Sequence, residues 1–120
     1  MILNQRDVVE VYFPFPEGNS TPHPVIVLSI PQVLSCEQTF IGVPISHSEG
    51  YIDEMFSFPL SNAMFIKPLV HEPSYVRIHL ITFLLSESDV TPSGKVNEMQ
   101  ETAFNNLILQ IQELVFGLNE

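Results

Sequence analysis

The sequence predicts a mainly β domain, a small antiparallel barrel with a C-terminal helix across it. Short apolar runs separated by turn-forming residues recur from residue 7 to residue 84, as in small all-β domains. No helical pattern lies between them, which argues against parallel βαβ units. Near residue 97 the apolar spacing changes to the helical period of about 3.6 residues. The length of 120 residues fits one domain, so we assign residues 1–120 to a single unit.

The first two strands are predicted on either side of a proline-rich loop. Alternating apolar residues predict a strand over residues 7–13, and residues 14–22 form a loop rich in turn-forming residues. His23 precedes Pro24 and is expected to be extended, because a residue before proline avoids the α region. The β-branched run at residues 25–28 is typical of a strand that is buried on both faces.

The middle of the chain is predicted to alternate between strands and loops. Irregular or loop structure is expected at residues 29–38, 46–54 and 67–74, where turn-forming residues cluster. Strands are expected at residues 39–45, 55–60, 63–66 and 75–84. The last of these is the strongest prediction, because its apolar positions alternate regularly.

The C-terminal quarter is predicted to be a linker followed by a helix. Residues 86–95 are polar and are expected to connect the last strand to the helix. Asn97 is the predicted N-cap, with Gln100 as its capping-box partner. Apolar residues then recur at helical spacing as far as Gly117, a residue type common at helix C-termini. The pattern predicts a helix of about five turns over residues 97–117.

The charge balance limits the classes of function. The chain has fourteen acidic and four basic residues, which gives a net charge of −10 at pH 7. Phosphate backbones are bound mainly by Lys and Arg, so we expect a poor general nucleic-acid binder with room only for a local positive patch. Only 15% of residues are charged, and nine are Phe. This surplus of apolar side chains suggests a partner surface or a dimer.

The location is predicted to be cytoplasmic. Cys36 is the single cysteine, which fits a reducing compartment. The N-terminal residues lack the basic and apolar regions of a signal peptide. No uncharged apolar run approaches the length of about 18 residues that a membrane span needs.

Six short motifs follow one another in the order found in a known family. They are Arg6-Asp7-Val8-Val9, Phe13-Pro14-Phe15, Pro24-Val25-Ile26-Val27-Leu28-Ser29, FIGVPIS at residues 40–46, Ser74-Tyr75-Val76-Arg77 and Gly94-Lys95-Val96. Through these motifs, which are spread over nearly the whole chain, the sequence resembles the MazF/PemK family of toxin–antitoxin modules.

The resemblance implies both a fold and an activity. The fold is an SH3-like barrel that forms a homodimer and is neutralised by a cognate antitoxin. The activity is that of an mRNA interferase, an endoribonuclease that cleaves single-stranded mRNA without a metal or another cofactor. The ribose 2′-OH attacks the adjacent phosphorus and a 2′,3′-cyclic phosphate results. This reaction needs a base for the hydroxyl, an acid for the leaving 5′-oxygen, and donors for the phosphate oxygens.

Four catalytic candidates follow from the resemblance: His23, Ser46, Arg77 and His79. His23 stands where the family has an arginine, and its imidazole can serve as acid or base near neutral pH. Ser46 keeps the hydroxyl that the family places after the third strand. Arg77 is the candidate phosphate contact. His79 stands where many members have an acid, and strand alternation predicts that it shares a face with Arg77.

Other roles for single residues stay open. His23 could cap the proline-rich turn, Ser46 could close a turn, and His79 could be a half-buried core histidine. A metal site could use the four histidines His23, His47, His71 and His79, although no pair has the short spacing of zinc ligands. A carboxylate pair could come from Glu17, Glu49, Asp53 and Glu54, although loop positions favour solvated charge. Bases could stack on Phe13, Phe15, Phe56 and Phe58, although core or dimer contacts suit these rings better.

Two other functions also stay open. The first is a non-catalytic MazF-like barrel that acts as a binding or regulatory protein. The second is a peptide-binding or DNA-binding module on the same fold.

Overall fold

The computed structural model describes residues 2–16, 18, 21–47 and 54–118. Within them the chain forms seven strands: β1 (Asp7–Tyr12), β2 (Pro22–Val27), β3 (Thr39–Ser46), β4 (Ser57–Pro59), β5 (Tyr75–Arg77), β6 (Thr82–Leu85) and β7 (Val90–Glu98). There are two α-helices, α1 (Pro31–Glu37) and α2 (Glu101–Gln110), and α2 continues into a wider π-helical turn at Ile111–Val115. In these ranges, no helix has the length and apolar character needed to cross a membrane.

The strands form one antiparallel sheet. Its order is β4-β5-β3-β2-β1-β7. Strand β5 pairs with the end of β3, and β6 pairs with the start of β3, from Thr39 to Gly42. Each pairing between these strands is antiparallel. The predicted class, mainly β with a C-terminal helix, is therefore confirmed. Pairing of the described strands follows an open path from β4 to β7, so closure into a barrel stays a prediction.

The two faces of the sheet carry two clusters of buried side chains. On one face of β2, Val25 and Val27 join a cluster that includes Phe13 and Phe15. On the other face, Ile26 joins a cluster that α2 covers through Phe104, Leu107 and Ile111. Strand side chains alternate between faces, so the β-branched run of β2 supplies both clusters, as the sequence predicts.

Irregular structure was predicted for residues 29–38. This prediction is wrong for seven of them, because they form α1. Pro31 lies in the first turn of α1, where its missing N–H costs nothing. Gln38 ends the helix in the left-handed conformation, with φ 59°. Because α1 contains no buried residue, it leaves no apolar periodicity in the sequence.

The predicted linker at residues 86–95 is also wrong, because β7 begins at Val90 and pairs along β1. Asn97 is a β7 residue and not a helix cap. Its Oδ1 accepts hydrogen bonds from the Lys67 N–H at 3.1 Å and the Glu98 N–H at 2.8 Å. The flanking residue at the start of α2 is Gln100. Tertiary pairing with β1 therefore outweighs the poor strand propensity of this segment.

The predicted strand at residues 75–84 is divided in two. Strand β5 ends at Arg77, a turn follows in which the Leu80 N–H donates to the Arg77 carbonyl at 3.0 Å, and β6 starts at Thr82. The strand predicted at residues 55–60 is shorter and follows a 3₁₀ turn. At residues 63–66 a 3₁₀ turn replaces the predicted strand, and Phe65 makes a single bridge to Met99.

Candidate functional site

His23 lies near the start of β2 and is half-buried. Its Nδ1 lies 2.9 Å from the Thr21 carbonyl oxygen. A carbonyl can only accept, so Nδ1 carries the proton in this contact. In the neutral ring, Nε2 then keeps its lone pair and can accept a proton from a substrate.

Ser46 is the last residue of β3 and is buried. The β2–β3 register pairs Val25 with Pro44, so His23 and Ser46 each lie two residues beyond that pair. Paired residues and residues two apart share a face in antiparallel strands. The register therefore brings His23 and Ser46 to the same face and the same end of the sheet, although they are 23 positions apart in the sequence.

Arg77 lies on this face as well. Ser46 pairs with Tyr75 between β3 and β5, and Arg77 is two residues further on. The Arg77 guanidinium carbon lies 5.3 Å from the centre of the Phe15 ring, within the range of a cation–π contact. The His23 ring meets the same Phe15 ring edge-on, with centroids 4.6 Å apart. Phe15 thus connects the two predicted site residues and covers Arg77, which is only 5% exposed.

His79 is placed differently from the other three candidates. It lies in the turn after β5, so the strand alternation that predicted a shared face with Arg77 does not apply. Its ring packs against Phe56, with centroids 5.2 Å apart. Phe56 packs on the cluster beneath α2, which lies on the opposite face of the sheet from Phe15.

A cavity of about 500 Å³ lies beside His23, between the sheet and the segment at residues 65–71. We call it the histidine cavity, because three of the four histidines of the chain border it. Its floor is apolar and includes Val8, Ile45 and Phe65. Within the described residues, its titratable and charged lining consists of His23, His47, His71, Lys67 and Glu10.

The histidine cavity also holds Lys67, the described basic residue whose charge is least compensated. Among the described basic residues, Arg6 and Lys95 both pair with Glu98, and Arg77 is covered by Phe15. Lys67 is exposed and forms no ion pair within the described part of the chain. Glu10, the carboxylate at the cavity, accepts a hydrogen bond from the Thr91 hydroxyl at 2.9 Å.

Two histidines that sequence reasoning did not select for catalysis stack at this cavity. The rings of His47 and His71 are nearly parallel, at 19°, with centroids 3.9 Å apart. They lie 24 positions apart in two loops, so no spacing in the sequence signals their contact. In the described ranges, no three His, Cys, Asp or Glu side chains are arranged to hold a metal ion.

The other sequence candidates are distributed as follows. Glu17, Glu49 and Asp53 lie outside the described residues, so the proposed carboxylate pair is not located. Phe13 and Phe15 are buried in the core, and Phe56 and Phe58 are half-buried against the cluster beneath α2. Core contacts, rather than stacking on bases, therefore account for these four rings.

Comparisons with known proteins identify solved structures that share this architecture. No protein-family model and no curated protein sequence matches the chain. Among solved structures, MazF from Deinococcus radiodurans superposes with a TM-score of 0.72 and 14% identity, covering 98% of this chain and 99% of that one. The Mycobacterium tuberculosis toxin MazF-mt6 has a TM-score of 0.68 and 15% identity, with 96% and 100% covered. A mycobacterial endoribonuclease in complex with its cognate antitoxin has a TM-score of 0.62 and 11% identity, with 99% and 97% covered.

These similarities extend over nearly the full length of each chain at low identity, and they agree with the motifs in the sequence. The chain therefore has the fold of the MazF toxins.

Proposed function

We propose that the protein is a divergent MazF-like toxin of a toxin–antitoxin module, acting in the cytoplasm as a metal-independent endoribonuclease on single-stranded mRNA. The observation that carries the proposal is the convergence of His23, Ser46 and Arg77 on one face of the sheet. Three residues chosen from separate motifs gather there in a fold that is shared with MazF toxins.

The proposed chemistry assigns a role to each side chain. His23 Nε2 accepts the proton of the ribose 2′-OH, because Nδ1 is held as a donor by the Thr21 carbonyl. The Ser46 hydroxyl donates to a phosphate oxygen at the same end of the sheet. Arg77 stabilises the charge that develops on phosphorus. His79 supports the turn after β5 through Phe56 and takes no part in the chemistry.

Phe15 controls how Arg77 can act. Its ring covers the guanidinium, so a phosphate reaches Arg77 directly only when Phe15 moves aside. Phe15 lies in the loop between β1 and β2, and loops rearrange more readily than paired strands. While Phe15 stays in place, Arg77 acts on the substrate only through the electrostatic field of its guanidinium charge.

The proposal includes two protein partners. One is a cognate antitoxin, supported by the likeness to a toxin solved together with its antitoxin. The other is a second copy of this chain. Ile41 and Phe83 are cross-strand neighbours on β3 and β6, and both are exposed, at 39% and 69%. Such an exposed apolar pair across two neighbouring strands suits burial in a homodimer.

A second candidate function has an observation in its favour. Arg77 is covered, and the chain carries a net charge of −10; both features weaken affinity for a phosphate backbone. A non-catalytic MazF-like protein that binds an antitoxin or another regulator would tolerate both features.

The two functions are separated by incubating purified protein with single-stranded RNA in EDTA and mapping the product ends. The proposal predicts cleavage with 2′,3′-cyclic phosphate ends. Replacing His23 by Ala should lower the rate by about 100-fold or more, the usual contribution of a general base. The matched variant His79→Ala should retain most of the activity. Intact RNA under all conditions would favour the non-catalytic function, and equal losses in both variants would remove His23 from the base role.

A further inference from the structure

We propose that the histidine cavity is a binding site for a small carboxylate with a flat apolar body, such as an aromatic acid. The floor of this cavity belongs to the cluster beneath α2. Ser46 and Arg77 lie on the opposite face of the sheet and do not border it, and of the four catalytic candidates only His23 does. The inference therefore goes beyond the proposed endoribonuclease function and does not rest on it.

The size and the floor of the cavity fit a small ligand. Its volume of about 500 Å³ lies within the range of about 300–1,000 Å³ that is typical of small-molecule sites. The floor residues Val8, Ile45 and Phe65 are buried, whereas Val96 and Val70 border the cavity and are 39% and 90% exposed. An apolar ligand in the cavity would withdraw part of this surface from water, which favours binding.

The walls of the cavity consist largely of rigid rings. Three of the lining residues are prolines, Pro22, Pro24 and Pro68. The rings of His47 and His71 are stacked with centroids 3.9 Å apart, and an aromatic ligand can pack against such rings through a face or an edge. This packing does not depend on the charge of either ring. Because little flexible side chain has to be ordered, a flat and rigid ligand binds here at low entropic cost.

The segment that carries Lys67 and His71 is held in place by hydrogen bonds from side chains. Asn97 on β7 bonds both the N–H and the carbonyl of Lys67, each at 3.1 Å. The Ser74 hydroxyl donates to the carbonyl of His71. The cavity is therefore formed in the absence of a ligand, as small-molecule sites usually are.

Lys67 supplies the charge that selects a carboxylate. The chain has a net charge of −10, so an anion is attracted only where a cation lacks a carboxylate partner. Lys67 borders the cavity, is exposed and forms no ion pair with any described residue. Glu10 borders the cavity from β1 and accepts a hydrogen bond from the Thr91 hydroxyl at 2.9 Å. One lysine with a carboxylate on the other wall favours a single negative charge over a polyanion such as RNA.

The test uses 2-naphthoate and its neutral analogue 2-naphthalenemethanol as probes. Each is titrated into isotope-labelled wild-type protein at about 0.15 M salt, where charges more than about 8 Å apart are largely screened. NMR follows the backbone amide signals of Lys67, Leu69 and Val70. Both probes should shift these signals, and naphthoate should bind more tightly, with a dissociation constant of about 1 mM or lower for a ligand of this size.

Two substitutions test the role of charge in the cavity. Lys67→Met keeps the length of the side chain and should weaken naphthoate binding by about threefold to fivefold, the effect of one exposed ion pair. Val96→Glu adds a carboxylate to the lining and should weaken it by a similar factor. Both variants should leave the affinity for naphthalenemethanol within about twofold.

Two matched controls accompany these variants. The uncharged Val96→Gln should change the affinities for both probes alike. Leu109→Glu adds the same charge to α2, outside the lining, and should change neither affinity. Circular dichroism shows whether each variant is folded, and Lys67→Met, at an exposed position, decides the question if Val96→Glu is not.

Several results would overturn the inference. The first is a wild-type protein that binds neither probe, or whose amide shifts lie on β6 and not around Lys67. The second is an equal loss of both probes in Lys67→Met. The third is displacement of naphthoate by single-stranded RNA, which would make the cavity part of an RNA surface. Failure of the endoribonuclease function would appear in the RNA assay and not in this binding measurement, so the two proposals can fail separately.

Discussion

At the scale of single residues, Phe15 and Lys95 show how this chain manages its few cations. Phe15 covers Arg77 and orients His23 with the same ring. The Lys95 ammonium forms two ion pairs. Its Nζ lies 3.0 Å from the buried carboxylate of Asp7 and 2.9 Å from the carboxylate of Glu98 on β7. With four basic residues in 120, each of these contacts leaves one cation fewer without a ring or carboxylate partner. Lys67, at the histidine cavity, is exposed and forms no ion pair with any residue that the structure describes.

Replacing Lys95 by Met should destabilise the protein by about 1–2 kcal/mol. The carboxylate of Asp7 is buried; it would keep its hydrogen bond from the Asn4 N–H at 2.9 Å but lose its ion pair with Lys95, and an uncompensated buried charge is costly. The lysine is 44% exposed, so the loss is smaller than for a fully buried pair. Urea unfolding measures it. The control is Lys67→Met, which should change stability by less than about 0.5 kcal/mol.

The same variant has a predicted pH dependence. The hydrogen bond from Lys95 lowers the pKa of Glu98 from its usual value of 4.5. A lowered pKa stabilises the folded state while the carboxylate is ionised, and this part is lost as the pH falls below about 4.5. The stability difference between wild type and Lys95→Met should therefore shrink between pH 6 and pH 3. A difference that grows over that range would contradict this sign.

At the same scale, the sequence predicted part of the site. His23 and Ser46 were identified through motifs, and strand register then brings them together. The His47–His71 stack could not be predicted, because it depends on where two loops of irregular structure meet. The covered state of Arg77 depends on a ring in a third loop, which strand periodicity does not describe.

At the scale of elements, Gly42 is required by the close approach of β2 to β3. A Cβ at this position would overlap Val25 Cγ1 and would lie 3.3 Å from the Ile26 carbonyl oxygen. Alanine is favoured over glycine in a strand by about 0.5–1 kcal/mol, but overpacking a full core costs about 1–3 kcal/mol. Overpacking dominates because Val25 is fully buried. Gly42→Ala should therefore destabilise the protein by about 1 kcal/mol in denaturant unfolding.

The matched control is Gly42→Ala in a Val25→Ala background, where the overlapping methyl group is absent. There the same substitution should be neutral or stabilising, which gives a coupling energy of about 1 kcal/mol or more. An equal penalty in both backgrounds would show that Val25 is not the cause.

Elements whose own residues favour their structure were predicted, and elements that depend on a partner were not. Strands β1, β2 and β3 are rich in β-branched residues, so their existence was clear from the sequence. Strand β7 contains Pro92, Gly94 and Asn97 and forms because β1 offers a free edge. Helix α2 was predicted with its start four residues too early, because the alternating end of β7 resembles a helical pattern over a short window.

At the scale of the whole molecule, the exposed pair Ile41 and Phe83 should mark the dimer surface. Replacing Phe83 by Glu places a charge at the centre of this pair, and two such charges would face each other across a twofold interface. The variant should elute as a monomer in size-exclusion chromatography with light scattering, whereas we expect the wild type to elute as a dimer. Leu109→Glu, at a position on α2 that is 46% exposed, should leave the dimer intact. Dimers that persist in Phe83→Glu would place the interface elsewhere.

The central claim, that this fold houses an RNA-cleaving site driven by the ribose 2′-hydroxyl, has a direct test. A random-sequence RNA pool and a chemically matched pool carrying 2′-O-methyl groups are incubated with wild-type protein in EDTA, and the products are resolved on a gel. The account predicts that the RNA is cut, with 2′,3′-cyclic phosphate ends, and that the 2′-O-methyl pool stays intact. Cleavage of both pools, or of neither, would contradict it.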